Sequence, residues 1–366
     1  MRLSRTKRQS GFTLVEFAIA MGITTLALAA AMLAFKDATT SNQLVGLRQD
    51  VADNLRAGMN LMEQDLIQTG TGIPTGGIAI PNTGAATCSS PLSNITRPLL
   101  TGSTYFPHCN VVLPAIEPGN ALGPLVTSPD ATGTVNTDII TMMYQDNSLV
   151  LDQNPIFLAP SGASAGCAGS ISAAASSATF DTSAACVPPS ASGSTINTGD
   201  ILMFSNTYGN ALAYVTSVSW PTVFFAKNDP FGFNQTGLPA GTLQTLQNPD
   251  TSYPPTTVTR ITMISYYLDN ITDPAHVRLI RRVNFNAGQP VGETMENLQF
   301  TYNFNDGIAT NEITVPPGYS ENQIRSVNLY IGARSDSRLA QTKQFLRSNF
   351  QTQVSLRSMA YFNNYK

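Results

Sequence analysis

The chain is poor in charge for its length. Only 12% of its 366 residues are Asp, Glu, Lys or Arg, about half of the roughly 25% usual in globular proteins. Gly, Pro, Ser, Thr and Asn fill the gap, which favours many turns and an extracellular β-rich body. The net charge is −3, and the first ten positions hold four basic residues and no acid. The rest of the chain, with 16 basic against 23 acidic residues, is too acidic for non-specific nucleic-acid binding.

Histidine and cysteine are scarce. The four cysteines fall into two local pairs, Cys88 with Cys109 and Cys167 with Cys186, each bracketing about 20 loop-rich residues. In a chain with an export signal, an even count favours two disulfides. Three connectivities are open, and we favour the local one, in which each bridge adds roughly 3 kcal/mol in the loop-entropy model. A zinc site is the competing interpretation, but the chain has no CxxC spacing and only two histidines.

Proline is absent before Pro74, and charge is nearly absent from residues 12–35. This apolar run has Glu16 as its only charged residue and is long enough to cross a membrane. It is too long for a cleaved secretory signal. A single-pass anchor with its basic end in the cytoplasm fits the charge pattern. That interpretation leaves Glu16 unexplained, since an ionisable group within a membrane is costly without a partner.

A helical pattern continues beyond the apolar run. Apolar residues recur at spacings of three and four: Leu44, Leu47, Val51, Leu55, Met59, Met62 and Leu66. The sequence predicts one helix from Phe12 to about Thr69, roughly 87 Å long. Glycines and Pro74 end it. Its polar faces are expected to carry Arg48, Asp50, Asp53, Arg56, Glu63 and Asp65.

The run Gly11-Phe12-Thr13-Leu14-Val15-Glu16 follows a short basic leader and opens an apolar helix. It resembles the type IV prepilin processing motif. The resemblance implies that a membrane-embedded prepilin peptidase cuts between Gly11 and Phe12 and methylates the new amino group of Phe12. It also implies that Glu16 pairs with the N-terminal amine of a neighbouring subunit. Glu16 would then be unpaired in the membrane and paired in the filament, where it sets the axial register of the subunit.

The rest of the chain is predicted to be β-rich. A loop-rich stretch reaches about Asn136, and residues 159–196 form an Ala/Ser/Gly-rich insertion that is too poor in apolar surface to fold alone. Strands are predicted from β-branched and aromatic runs at residues 138–144, 148–151, 201–205, 211–218, 258–269, 276–285, 296–304 and 324–335.

The order of short motifs in the second half carries another resemblance. Tyr-Tyr-Leu at 266–268 is followed by Leu-Ile-Arg-Arg, Val-Gly-Glu and Leu-Gln-Phe-Thr-Tyr, with Val-Ser-Leu-Arg closing at 354–357. This order resembles the body of PilW-type minor pilins and J-type pseudopilins. It implies an α+β fold in which a long N-terminal helix packs on an antiparallel β-sheet body with loop-rich insertions. The expected divisions are a leader at 1–11, a transmembrane helix at 12–35, an amphipathic helix at 36–70 and a body at 71–366, with insertions at about 75–135 and 152–200.

Motifs for catalysis are weak. The GxSxG pattern at 162–166 lacks the preceding strand and following helix of a nucleophile elbow, and His108 and His276 are isolated in sequence. Arg281 and Arg282 would point to opposite faces of a strand and form no single anion patch. We therefore expect no catalytic residues and no cofactor, which means that the chain is not an enzyme.

A calcium site is the remaining metal candidate. The loop at residues 303–307 suggests one, but aromatic residues occupy the positions where an EF-hand has its ligands. Asp306 or Asp273 could serve in a different calcium loop, although a solvated turn is the simpler interpretation. We expect no metal site.

The sequence thus predicts a minor pilin of the type IV pilus. It would enter the bacterial inner membrane as a single-pass precursor and become an assembly or priming subunit at or near the filament tip, on the cell surface. The expected partners are prepilin peptidase, other minor and major pilins, the inner-membrane assembly platform and membrane lipid, with no nucleic acid. A J-type minor pseudopilin of type II secretion and a pilus-tip adhesin or DNA-uptake subunit are the alternatives.

Overall fold

A single helix, α1, spans Leu14–Gln68 and is 55 residues long, or about 82 Å. The computed structural model describes residues 13–82, 96–97, 104–105, 112–130, 133–146, 156–158, 169–181 and 196–362. The helix ends at Thr69, and the chain turns away through Gly70 and Gly72, both with positive φ (82° and 69°), a backbone conformation that glycine adopts without strain. The predicted continuous helix is confirmed.

The two halves of α1 have different surroundings. Side chains from Leu14 to Phe35 are exposed, whereas the C-terminal half packs on the body. Its buried residues are Val51, Leu55, Gly58, Met59, Met62, Asp65 and Leu66. The predicted apolar series is therefore confirmed from Val51 onward, and Leu44 and Leu47 before it are only half-buried.

The body is built from antiparallel strands. Those that the structure describes are β1 Ile78–Ala79, β2 Thr96–Arg97, β3 Thr104–Tyr105, β4 Val112–Leu113, β5 Ile116–Gly119, β6 Leu125–Thr127, β7 Thr134–Asn136, β8 Ile139–Gln145, β9 Ile156–Leu158, β10 Ser170–Ile171, β11 Ser177–Thr179, β12 Ile201–Asn206, β13 Gly209–Tyr214, β14 Ser217–Ser219, β15 Thr222–Phe224, β16 Thr256–Asp269, β17 Arg278–Val283, β18 Gln289–Gly292, β19 Met295–Phe304, β20 Ile324–Arg338 and β21 Phe345–Ser355. Two 3-10 turns lie at Leu243–Leu246 and Glu321–Gln323, and a short helix, α2, spans Arg357–Phe362.

The largest sheet is organised around β16. One edge of β16 pairs with β12 and then β17, and the other edge pairs with β9 and then β8. The strands β13, β18 and β5 extend this eight-stranded sheet. A second sheet, in the order β19-β20-β21, packs with α1 and the large sheet around one core. The α+β architecture, with a long N-terminal helix on antiparallel sheets, is confirmed.

A second core lies on the other face of β12. Because side chains alternate along a strand, Ile201 and Met203 enter the core beneath α1, while Leu202 and Phe204 enter the second one. The sheet β10-β11-β15-β14 contributes to this second core. Two of its strands, β10 and β11, belong to the Ala/Ser/Gly-rich tract, which is ordered there by pairing with β15.

Two predictions about the body need correction. The run 211–218 is not one strand, because β13 ends at Tyr214 and β14 pairs in a different sheet. The stretch predicted to be loop-rich contains β5, which pairs with β8 inside the eight-stranded sheet. The strand β21 and the helix α2 that follows were not predicted. The predicted strand at 148–151 lies outside the described residues.

Gly58 permits close packing of α1 on the body. A Cβ there would lie 2.7 Å from Leu279 Cδ2, an atom of a fully buried side chain, whereas a Cβ on exposed Gly46 would meet nothing within 4 Å. We expect Gly58→Val to lower the free energy of unfolding by about 1–3 kcal/mol through overpacking. The matched change Gly46→Val should leave it unchanged or slightly higher, because valine is a better helix former than glycine. Denaturant unfolding of the full chain in detergent micelles measures both, and equal effects would contradict this packing.

Candidate functional site: the N-terminal helix and its anchor

The first turn of α1 is closed by a capping box between Thr13 and Glu16. The Thr13 N–H and hydroxyl donate to Glu16 Oε2 at 3.0 and 2.9 Å, and the Glu16 N–H donates to Thr13 Oγ1 at 3.3 Å. This arrangement satisfies donors at the helix start that would otherwise lack partners. Thr13 supplies hydrogen bonds but no charge, so the expectation that Glu16 finds an oppositely charged partner only in the filament stays a prediction. Both bonds that the Glu16 carboxylate accepts use Oε2, and no described residue donates to Oε1.

The helix beyond this box presents apolar side chains on all sides. Their exposed fractions run from 54% for Met21 to 86% for Leu14. The large ones are Leu14, Val15, Phe17, Ile19, Met21, Ile23, Leu26, Leu28, Met32, Leu33 and Phe35. Of the described helices, α1 alone is long and apolar enough to cross a membrane. So large an exposed apolar surface is typical of a membrane or protein–protein interaction site.

The other end of α1 is fixed to the body through Asp65. Arg281 on β17 holds this carboxylate with two parallel bonds, Nε to Oδ2 at 2.7 Å and Nη2 to Oδ1 at 3.0 Å. The Tyr266 hydroxyl donates to Oδ2 at 2.6 Å, and the Tyr144 hydroxyl donates to Oδ1 at 3.3 Å. We call Asp65, Arg281, Tyr266 and Tyr144 the anchor. Asp65 is 5% exposed, so its predicted place on the polar face of the helix is wrong.

The negative charge of Asp65 is compensated by the groups that donate hydrogen bonds to it. An acidic group in the last turn of a helix is disfavoured by the helix dipole, and that turn holds no basic residue. The guanidinium of Arg281 supplies the compensating charge in fork geometry. Burial, followed by the charge of Asp65, raises the pKa of Tyr266 and Tyr144 far above the usual value. Both hydroxyls therefore keep their protons and remain donors throughout the physiological pH range.

The neighbouring arginines have separate partners. Arg282 donates from Nε to the carbonyl of Asn286 at 2.8 Å, and its guanidinium carbon lies 4.8 Å from the centre of the Phe285 ring. Arg278 pairs with Asp269 at 3.4 Å. Arg281 and Arg282 thus face opposite sides of β17, as predicted, and the three arginines form no common anion site.

The two candidate calcium ligands, Asp306 and Asp273, form contacts with neighbouring residues. Asp306 accepts from the N–H groups of Ile308 and Ala309 and from the Tyr319 hydroxyl, as a turn residue does. Asp273 Oδ2 lies 2.9 Å from His276 Nδ1, and His276 Nε2 lies 2.9 Å from Asp336. Within the part of the chain that the structure describes, no group of three or more His, Cys, Asp or Glu side chains is placed to hold a metal ion.

Several predicted sites lie outside the described residues. These are the cleavage site at Gly11 and Phe12, the four cysteines Cys88, Cys109, Cys167 and Cys186, His108, and the GxSxG pattern at 162–166. The methylation of Phe12 and the disulfide pairing therefore stay predictions.

Comparison with known proteins identifies the N-terminal region. Residues 6–32 match the model of the prokaryotic N-terminal methylation motif. This motif is the signal of type IV pilin-like and pseudopilin precursors, and here it covers basic leader residues, the capping box and the exposed part of α1. It implies processing by a prepilin peptidase and assembly with other pilins, and the apolar helix is consistent with membrane anchoring. No curated protein and no solved structure matches the chain significantly.

The anchor was missed by sequence reasoning although a signal was present. Gly58, Met62, Asp65 and Thr69 follow one another at spacings of four, three and four, which places them on one stripe of the helix. All four are buried. Asp65 was placed on the polar side because of its residue type, whereas its position along this stripe points into the body.

Proposed function

We propose that the chain is a minor pilin of the type IV pilus, a structural assembly subunit and not an enzyme. The observation that carries this proposal is the exposed apolar half of α1, which starts at the Thr13–Glu16 capping box within a methylation motif and continues without a break into a folded body. A helix of this kind serves as a membrane segment before assembly and as a packing surface afterwards.

In the proposed mechanism, the precursor waits in the inner membrane with its body on the outer side. Peptidase cleavage after Gly11 frees the amine of Phe12. The Glu16 carboxylate caps its own helix through Oε2 and offers Oε1 to the amine of a neighbouring subunit. Opposite charges attract strongly in a medium of low dielectric constant, so this contact favours addition of the subunit and sets its axial position.

The anchor joins this mechanism to the body. Because α1 enters the filament core, any force or displacement on the helix must pass to the sheets through the contacts of residues 51–69. Arg281 and the two tyrosines hold the last turn of α1 at a polar point within that apolar contact. A position at or near the filament tip is supported by the size of the body, since a bulky subunit need not fit the lattice on all sides there.

The direct test is mass spectrometry of the intact chain and of its N-terminal peptide, from membranes and from sheared filaments. We expect the filament fraction to hold a mature chain that starts at methylated Phe12. A full-length chain that stays in the membrane would refute the proposal and favour a simple single-pass anchor.

Two alternative assignments are distinguished from a minor pilin by deletion experiments. A type II secretion pseudopilin shares the motif, so deletion of the pilus motor should abolish surface display only for a pilus subunit. For a tip adhesin or DNA-uptake subunit, deletion of residues 159–196 should preserve filaments and abolish attachment or uptake.

A further inference from the structure

The outer edge of β21 presents backbone groups that pair with no strand in the described part of the chain. The Leu356 N–H donates to the carbonyl of Arg325 at 2.9 Å. Leu356 therefore belongs to the set of alternate residues whose backbone groups point towards β20. Because antiparallel pairing alternates along a strand, the backbone groups of alternate residues point away from β20. They are Arg347, Asn349, Gln351, Gln353 and Ser355. Phe345 belongs to the same outward set, and its N–H donates to Asp130 Oδ2 at 3.3 Å.

Beyond Phe345, no strand among the described residues pairs with this edge. No described residue hydrogen-bonds to the outward N–H or C=O groups of the five residues from Arg347 to Ser355, and all five side chains are exposed and polar. Natural edge strands are usually short or blunted by proline, by charges or by a covering segment. The strand β21 is 11 residues long, lacks proline and carries one charged residue, Arg347. These features are typical of an edge that is used for pairing.

The edge runs alongside α1. Gly58 packs beside Ile331, which pairs with Phe350, and Gly70 packs beside Met359, which follows the end of β21. The seven residues from Phe350 to Leu356 span about 20 Å, and the thirteen from Gly58 to Gly70 span about 18 Å. The strand and the helix therefore run in the same direction.

Pairing between two copies of this chain does not fit a filament. The opposite edge of the sheet, on β19, is covered: the Asp138 N–H donates to Leu298, Asp138 Oδ2 accepts from Phe300, and Tyr302 bridges to Glu312. Two copies could instead join their β21 edges in antiparallel fashion about a twofold axis. That axis would turn the two α1 helices in opposite directions, whereas subunits of a polar filament hold them parallel.

We propose that the open edge of β21 binds an extended segment of a different pilin-like subunit, which adds a fourth strand to the sheet β19-β20-β21. This inference rests on the proposed function, because the parallel arrangement of helices is what excludes self-pairing. In strand addition the main-chain hydrogen bonds supply most of the affinity. The exposed polar side chains along one face of the edge match a partner segment that is itself solvent-exposed on that face.

Site-specific photo-cross-linking in producing cells tests the proposal on the full chain. A benzoylphenylalanine at position 353 should cross-link to one segment of a different subunit in sheared filaments, and the same group at exposed Tyr208 should not. Gln351→Pro removes an outward N–H to which no described residue bonds, and should reduce the cross-link roughly tenfold. Gln351→Thr keeps the N–H and should leave the yield unchanged.

The outcomes separate this inference from the proposed function. Cross-links only to second copies, yields unaffected by the proline, or no cross-link in filaments that contain the chain would overturn strand addition alone. A wild-type chain absent from filaments would overturn the proposed function. In that case the cross-link from position 353 to a segment of another protein would still show whether a strand binds to the edge of β21. As a control, the proline and threonine variants must have the same midpoint temperature of thermal unfolding. If they do not, Asn349→Pro at the next outward position takes the place of Gln351→Pro.

Discussion

Glu16→Ala is expected to be cleaved at the normal rate and to enter filaments poorly. The expected reduction is roughly tenfold, the order produced by loss of one charge-assisted hydrogen bond. Cleavage should survive because the peptidase acts on the bond between Gly11 and Phe12, which precedes the capping box. The measurement is the ratio of the mature chain in sheared filaments to that in membranes, with the N-terminus checked by mass spectrometry.

Two further variants separate the charge of Glu16 from its role as a cap. Glutamine serves in a capping box as glutamate does, so Glu16→Gln keeps the bonds from Thr13 and removes only the charge. Thr13→Val keeps the charge and removes the reciprocal hydroxyl. If pairing with a neighbouring amine drives assembly, Glu16→Gln should resemble Glu16→Ala and Thr13→Val should resemble the wild type. The reverse pattern would show that capping, and not charge, is what assembly needs.

The sequence was most informative where one physical constraint acts alone. The start of α1 was predicted from the beginning of the apolar run at Phe12, its continuity from the absence of proline before Pro74, and its buried stripe from the spacing of apolar residues after Val51. These are local signals, because a helix satisfies its own backbone. The same reasoning placed the long strands β16, β19 and β20 to within a few residues.

It was least informative where burial depends on a distant partner. Residues 169–181 have the composition of an unstructured tract, yet Ala178 and Phe180 are buried because β15 and β12 supply the rest of the second core. The strand β21 was missed because Ser348 and Thr352 interrupt the apolar face that it turns towards α1. Small polar residues at such positions weaken the alternation by which a half-buried strand is recognised.

The two carboxylates of α1 show the same limit. Glu16 was recognised because an acid in an apolar run demands an explanation. Asp65 was overlooked because an acid among polar neighbours demands none. The structure gives both of them hydrogen-bond donors, one within its own helical turn and the other across the sheets. Only the second kind of partner depends on the tertiary fold, so only Asp65 should affect the stability of the body.

Asp65→Ala is expected to lower the free energy of unfolding by about 3 kcal/mol, near the low end of the range for breaking a buried ion pair. The low end applies because the Arg281 side chain is 21% exposed and water can reach part of it. Two tyrosine hydroxyls would also lose their acceptor. The matched control is Asp53→Ala, which removes an exposed partner of Arg56 on the same helix and should cost about 0.5 kcal/mol or less.

A double variant distinguishes the pair from the packing around it. Asp65→Leu with Arg281→Met replaces both charges by apolar groups, and such replacements restore much of the stability that either single change removes. The stabilities are measured by denaturant unfolding of the full chain in micelles. Helix loss is followed by circular dichroism, and the second core by the fluorescence of Trp220, the one tryptophan. Coincident transitions would show that α1 and both cores unfold together. An Asp65→Ala chain as stable as Asp53→Ala, or a double variant no better than the singles, would mean that apolar packing alone holds the helix on the body.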